Sequence, residues 1–167
     1  MVKWTFEDDC LVPQGKIKIE YRGKNPFGMA QKARGIALRI FEVEAKDYWE
    51  RDFRWDISGD PRSFYLRNYV NKALDFRSSL LTEITFQGAH PTDPEKEGAL
   101  IINISAKLKT EFNLGSKFQQ LPFYRGLLKL YNFAFYNKVR RNYLVLCNGW
   151  VERFTREFRS ALNIPNA

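Results

Sequence analysis

The sequence predicts an α+β fold in which a curved antiparallel β-sheet packs on a long C-terminal α-helix. Three observations carry that expectation: several segments alternate apolar and polar residues, one early segment has apolar residues at helical spacing, and the last third keeps an apolar stripe at that same spacing. A chain of 167 residues fits one domain spanning residues 1–167, and 44% hydrophobic with 16% aromatic residues supplies one packed core.

The elements follow in order. Residues 16–23 place Ile17, Ile19 and Tyr21 on one side and Lys16, Lys18, Glu20 and Arg22 on the other, a half-buried strand. Asn25 and Pro26 then form a helix start, because Asn accepts from free first-turn amides and Pro loses nothing at the first helical position. Met29, Ala33, Ile36, Ala37, Ile40 and Phe41 extend that helix to about Glu44.

Trp49, Phe53, Trp55 and Ile57 share a strand face, and the turn at Gly59, Asp60, Pro61 and Arg62 leads into Phe64, Leu66, Val70 and Leu74, forming a hairpin. Leu80, Ile84 and Phe86 align next, and after the polar loop 89–98 so do Leu100, Ile102, Ile104, Ala106 and Leu108. The opposite faces are mostly polar, as for a sheet packed on one side and wet on the other. Beyond a linker at 113–120 the chain reads as helical to Asn163, along the stripe Val139, Tyr143, Cys147, Trp150, Phe154, Phe158 and Leu162. An unbroken helix from Pro122 is ~60 Å long, more than a domain of this size spans, so a break is expected near Asn137.

This order of strand, helix, four antiparallel strands and long helix resembles the helix-grip architecture of the START and Bet v 1-like proteins. The resemblance covers roughly 16–163 and lies in the order of elements. It implies an apolar cavity between sheet and C-terminal helix that holds lipids, hormones or polyketide-like molecules.

Charge and composition bound the setting. The apolar run 143–147 is far shorter than the roughly 20 residues of a membrane-spanning helix. The N-terminus lacks the apolar stretch of a secretory signal, and Cys10 and Cys147 read as unpaired packing residues of a reducing compartment, so a soluble, cytoplasmic protein is expected. The net charge of +8 comes from the C-terminal third, where eleven Lys or Arg from Lys107 onward face three acids. Such a field draws nucleic acid, anionic headgroups or acidic proteins, and it is equally the solvated face of a helix.

Motifs for chemistry are sparse. His90 stands alone in a loop, the cysteines are too far apart for zinc-type spacing, and no nucleophile elbow or phosphate loop is present. No catalytic residue, metal or cofactor is therefore assigned. Arg51 falls on the face of Trp49, Phe53 and Trp55, and Asn68 on that of Leu66 and Val70, so both aim polar groups at the expected interior. Arg51 then anchors a ligand carboxylate or phosphate and Asn68 adds a hydrogen bond, or else a β-bulge, a strand-end position or an internal pair with Glu42 or Glu44 accounts for the pattern.

The leading expectation is non-enzymatic binding of a small apolar or amphipathic ligand, lined by Arg51, Asn68, Trp49, Trp55, Tyr143, Trp150 and Phe154. The alternative partner is nucleic acid, held by Lys138, Arg140, Arg141, Arg153, Arg156 and Arg159 with Tyr65, Arg67 and Tyr69 on the wet sheet face. A small-molecule enzyme using the same cavity comes third. Lipid adhesion ranks lower, because the sheet is expected to consume the helix stripe.

Overall fold

The computed structural model describes residues 2–114 and 117–165, so Gly115 and Ser116 of the expected linker lie outside the described residues. Six strands and three α-helices follow in the order β1 (Val2–Asp9), β2 (Ile17–Gly23), α1 (Pro26–Ile40), β3 (Tyr48–Asp56), β4 (Arg62–Ala73), β5 (Ser78–His90), β6 (Gly98–Leu114), α2 (Pro122–Tyr131) and α3 (Asn137–Ala161). A π-helical segment, Asn132–Tyr136, joins α2 to α3.

The strands form one antiparallel sheet in the order β1-β6-β5-β4-β3, with β2 also on β6. At 17 residues β6 is long enough to pair with both: its first half meets β2, from Gly23↔Gly98 to Ile17↔Ile104, and its second half meets β1, from Asp9↔Lys107 to Val2↔Leu114. β1 and β2 are thus one line of strand interrupted by residues 10–16. Strand β1 adds to the expected set; Trp4 and Phe6 lie side by side on it, ring centroids 4.9 Å apart, and Phe6 meets Phe112 edge-on.

The helices cover one face of this curved sheet. Asn25 caps α1 as expected, its Oδ1 accepting from the Gly28 amide at 3.0 Å, and a side chain at Gly28 would collide with that cap. Ala30, Ala33 and Ala37 are buried small residues that let α1 lie close to the sheet. It stops at Ile40 rather than Glu44, because Glu42 takes a left-handed conformation (φ 52°) and the Val43 amide closes back on the Leu38 carbonyl. Asn163 (φ 55°) ends α3 in the same way, with the Ile164 amide on Arg159 O.

On α3 the buried residues are Cys147, Val151, Phe154 and Phe158, and Leu162 continues the row. Phe154 and Phe158 stack at 5.6 Å and wedge against Phe41 and Phe86. Each such burial is worth about 2–3 kcal/mol in water-exclusion terms.

Two expectations are corrected. Cys10 and Cys147 are disulfide-bonded, with Cα atoms 5.9 Å apart, because the interruption after β1 turns Cys10 into the core beside the buried row of α3. The cysteine count therefore gives no support to a reducing compartment. The expected break near Asn137 is instead the π-helical segment, and 40 residues run on as one helix. The length objection is met differently: α2 buries no side chain and lies at the end of the sheet, with Lys129 Nζ 5.8 Å from the Trp4 ring centroid.

Asp75, in the turn between β4 and β5, holds this long helix in place. It accepts from the amides of Arg77 and Ser78 at 2.7 and 2.6 Å and from the hydroxyls of Tyr136 and Tyr143 at 2.9 and 3.1 Å. Burial pushes its carboxyl up, but these donors outweigh burial and leave it below its ordinary 3.8.

Reducing or removing the disulfide releases a constraint across 137 residues, so Cys10→Ser with Cys147→Ser loses up to about 5 kcal/mol in a urea titration. Asp75→Ala costs about 2 kcal/mol at neutral pH. Because the folded value is depressed, that difference is present above pH 3.8 and fades as pH falls through the lower folded value, as paired acid titrations of both proteins will show.

Candidate ligand pocket between α1 and the β3–β4 edge

A single extra residue in β3 builds the site. Glu50 pairs with Asn68 but Asp52 pairs with Arg67, so Arg51 is a bulge and the two-residue alternation changes phase there. Upstream of the bulge, Tyr48 and Glu50 face the helices opposite Val70 and Asn68; downstream, Phe53 and Trp55 do so opposite Leu66 and Phe64.

The β-bulge alternative therefore holds at Arg51, and it corrects the interior placement of two expected site residues. Arg51 is exposed on the outer sheet face, its guanidinium carbon 5.6 Å from the Tyr69 ring centroid, and is no interior anchor. Trp49 lies on the same outer face, stacked on Tyr69 at 5.7 Å, and does not share a face with Phe53 and Trp55. Arg54 and Arg67 sit over Tyr65 nearby, and the Tyr69 hydroxyl donates to Glu83.

Asn68 does point inward. It is 4% exposed, its Nδ2 donates to the Tyr48 hydroxyl at 2.7 Å, and its Oδ1 has no donor among the described residues. Above it opens a pocket of about 330 Å³ lined by Ala30, Gln31 and Arg34 of α1, Tyr48 and Glu50 of β3, and Leu66 beside Asn68 on β4. Gln31 and Arg34 flank the buried Ala30 and Ala33 on the α1 surface, which puts their heads at the pocket mouth. The Arg34 guanidinium carbon lies 5.8 Å from the Tyr48 ring centroid. Burial pushes the Tyr48 phenol up to about 12, partly countered by the Asn68 hydrogen bond and the Arg34 charge. Neither Arg34 nor Glu50 forms an ion pair among the described residues.

A floor acceptor without a donor, a cation and an anion thus converge on one small volume. Such a set holds and orients a ligand through hydrogen bonds and charge.

The remaining expected ligand residues lie elsewhere. Trp55 packs on Phe64 and meets Phe27 edge-on at 4.8 Å, with the His90 ring 5.9 Å away. Tyr143 is tied to Asp75, Trp150 lies 4.7 Å beneath the Lys72 ammonium, and Phe154 is core. The structure brings only Asn68 of that set into the pocket. Tyr48, Arg34, Gln31 and Glu50 were missed; Ala30, Gln31 and Arg34 sit one helical turn apart, which is a usable signal only once the bulge is known.

Of the basic residues, Arg140 is paired with Asp8 at 2.5 Å and Arg159 donates to Pro165 O. Lys138, Arg141, Arg153 and Arg156 are exposed along α3, the last two beside Glu152 and Glu157, which binds Arg39.

Alkaline titration checks the pocket floor. Tyr48 is displaced from 10.0 to about 12, so its phenol contributes stability below pH 10 that is lost as pH rises toward 12. Tyr48→Phe removes one late-ionising group from the tyrosinate absorbance curve. It also leaves Asn68 Nδ2 without its acceptor, at a cost of about 1–2 kcal/mol.

No protein-family profile matches this chain, and no curated protein sequence matches it. Among solved structures, the chain is similar to the protein of unknown function SA2116 from Staphylococcus aureus, at 6% identity, with 95% of each chain covered and a TM-score of 0.32. A likeness at that level transfers neither fold nor function.

Proposed function

We propose that this protein binds a small polar ligand that carries both an anionic group and a hydrogen-bond donor, as an α-amino acid does. The observation that carries this reading is the buried Asn68 Oδ1, which lacks a donor at the floor of a pocket edged by Arg34 and Glu50. A buried acceptor left unpaired costs about 1–3 kcal/mol, and a ligand ammonium or amide recovers that cost on binding. The carboxylate of the same ligand is placed toward Arg34, and its ammonium is shared with Glu50.

The volume of about 330 Å³ suits a molecule of that size and stands at the small end of ligand pockets, roughly 300–1,000 Å³. The helix-grip resemblance favours a ligand-holding role, with α1 rather than the C-terminal helix as the second wall. The lining is more polar than that resemblance implies, which moves the ligand class from apolar to zwitterionic. Nucleic-acid binding has less support, because Arg140 and Arg159 are committed within the protein and Glu152 and Glu157 interrupt Arg153 and Arg156, which leaves Lys138 and Arg141 of the expected set.

Calorimetric titration with a panel of free α-amino acids, their N-acetyl derivatives, which lack only the ammonium, and their methyl esters, which lack only the carboxylate, tests the reading. At least one free zwitterion binds, and blocking either charge abolishes binding. Asn68→Ala and Arg34→Met each weaken it about tenfold or more while the thermal transition persists. Affinities unchanged in both variants would reject the pocket.

A further inference from the structure

The arm formed by α2 and the π-helical segment is inverted for a soluble helix. Phe123, Leu127 and Leu130 recur at i, i+4 and i+7 on the side away from the sheet, and Phe123 is 72% exposed. Phe118, Phe133 and Phe135 extend that surface, the last two 78% and 71% exposed. α2 has a strongly amphipathic sequence yet buries no residue, so its apolar side is not spent on the core. Contiguous exposed apolar surface of this kind marks an interaction site.

The charge carried by this stretch of chain is of one sign. Between residues 112 and 151 there is no Asp or Glu, while Lys117, Arg125, Lys129, Lys138, Arg140 and Arg141 all fall in that stretch, and all but Arg140 are exposed. A second copy of this chain would bring two such cationic arms together with no local acid to offset them. A phosphate backbone has no use for outward Leu127, Leu130 and Phe133. Cations flanking large aromatic and aliphatic side chains on one helix match one partner chemistry best.

We infer that this arm docks on the surface of a bilayer containing anionic lipid, with Phe123, Phe133 and Phe135 entering the headgroup boundary and the exposed Lys117, Lys138 and Arg141 meeting phosphate, while Arg125 and Lys129 face the sheet end at Trp4. The anchor at Asp75, which holds Tyr136 and Tyr143, keeps the arm fixed to the sheet while its outer side is free. No helix of the described residues is long and apolar enough to cross a membrane, so the contact is a surface one.

Sedimentation of the full chain with phosphatidylcholine vesicles, with and without phosphatidylglycerol, tests this directly. Binding is expected only with phosphatidylglycerol, and it weakens as salt rises. Lys117→Gln and Lys138→Gln each reduce it about fivefold, since one cation at such a surface is worth about a factor of that size. Phe123→Ser with Phe133→Ser reduces it at least about tenfold without moving the thermal transition, because both side chains are already exposed. Three results would overturn the inference: no vesicle binding by the wild-type chain, vesicle binding unaltered in the double Phe variant, or a concentration-dependent dimer that this variant dissolves.

Discussion

Everything in this fold is registered against β6. Like β4 and β5 it is paired along both edges, but among the described strands it alone takes three partners, with β5 on one side and β1 and β2 in succession on the other. Its inward residues Leu100, Ile102, Ile104, Ala106 and Leu108 are almost wholly buried, so a slip by one residue would turn this row to solvent and expose its polar neighbours' side to the core. The register in turn decides where β1 must end and β2 begin. The interruption at residues 10–16 puts Cys10 under α3, and the disulfide to Cys147 ties the sheet edge to the helix that closes the core.

Two departures from regularity then create the surfaces of interest. The bulge at Arg51 turns Trp49 outward and brings Tyr48 and Glu50 inward, which is what places polar groups above Asn68. Without it β3 would present Trp49 and Arg51 to the helices, and the pocket would have another lining. The π-helical segment plays a comparable part on the other layer: it buries Asn132 and Tyr136 against the sheet end, while the helix on its N-terminal side keeps an apolar outer surface.

Much of the architecture was legible from residue periodicity. The alternation in β2, β4, β5 and β6 and the α3 stripe from Cys147 onward match the buried rows seen, because one side of each element is dry and the other wet, whereas Val139 at the start of that stripe is exposed. The Asn25 and Pro26 helix start was legible for the same local reason. What escaped is non-local. A β-bulge was one of the alternatives open at Arg51, but it adds one residue without any compositional mark that selects it over an interior anchor, so Trp49 and Arg51 were placed on the interior face. Pairing of Cys10 with Cys147 depends on two elements meeting 137 positions apart. The α2 stripe has the pattern of a core helix, and nothing in that pattern says that Arg125 and Lys129, rather than the apolar stripe, face the end of the sheet at Trp4. Strand β1 was hidden by half-burial, since Trp4 and Phe6 rest on a sheet end that α3 does not cover.

The central claim is that one continuous helix has two different fates, a C-terminal part that completes the core and an N-terminal part that serves a surface. Hydrogen exchange resolved along residues 118–162 tests it most directly. Amides around Val151 to Phe158 should exchange only on global unfolding, while those of α2 exchange orders of magnitude faster in the free protein. Equal protection along the whole helix in dilute monomer would mean that α2 is packed like the rest, and would contradict the account.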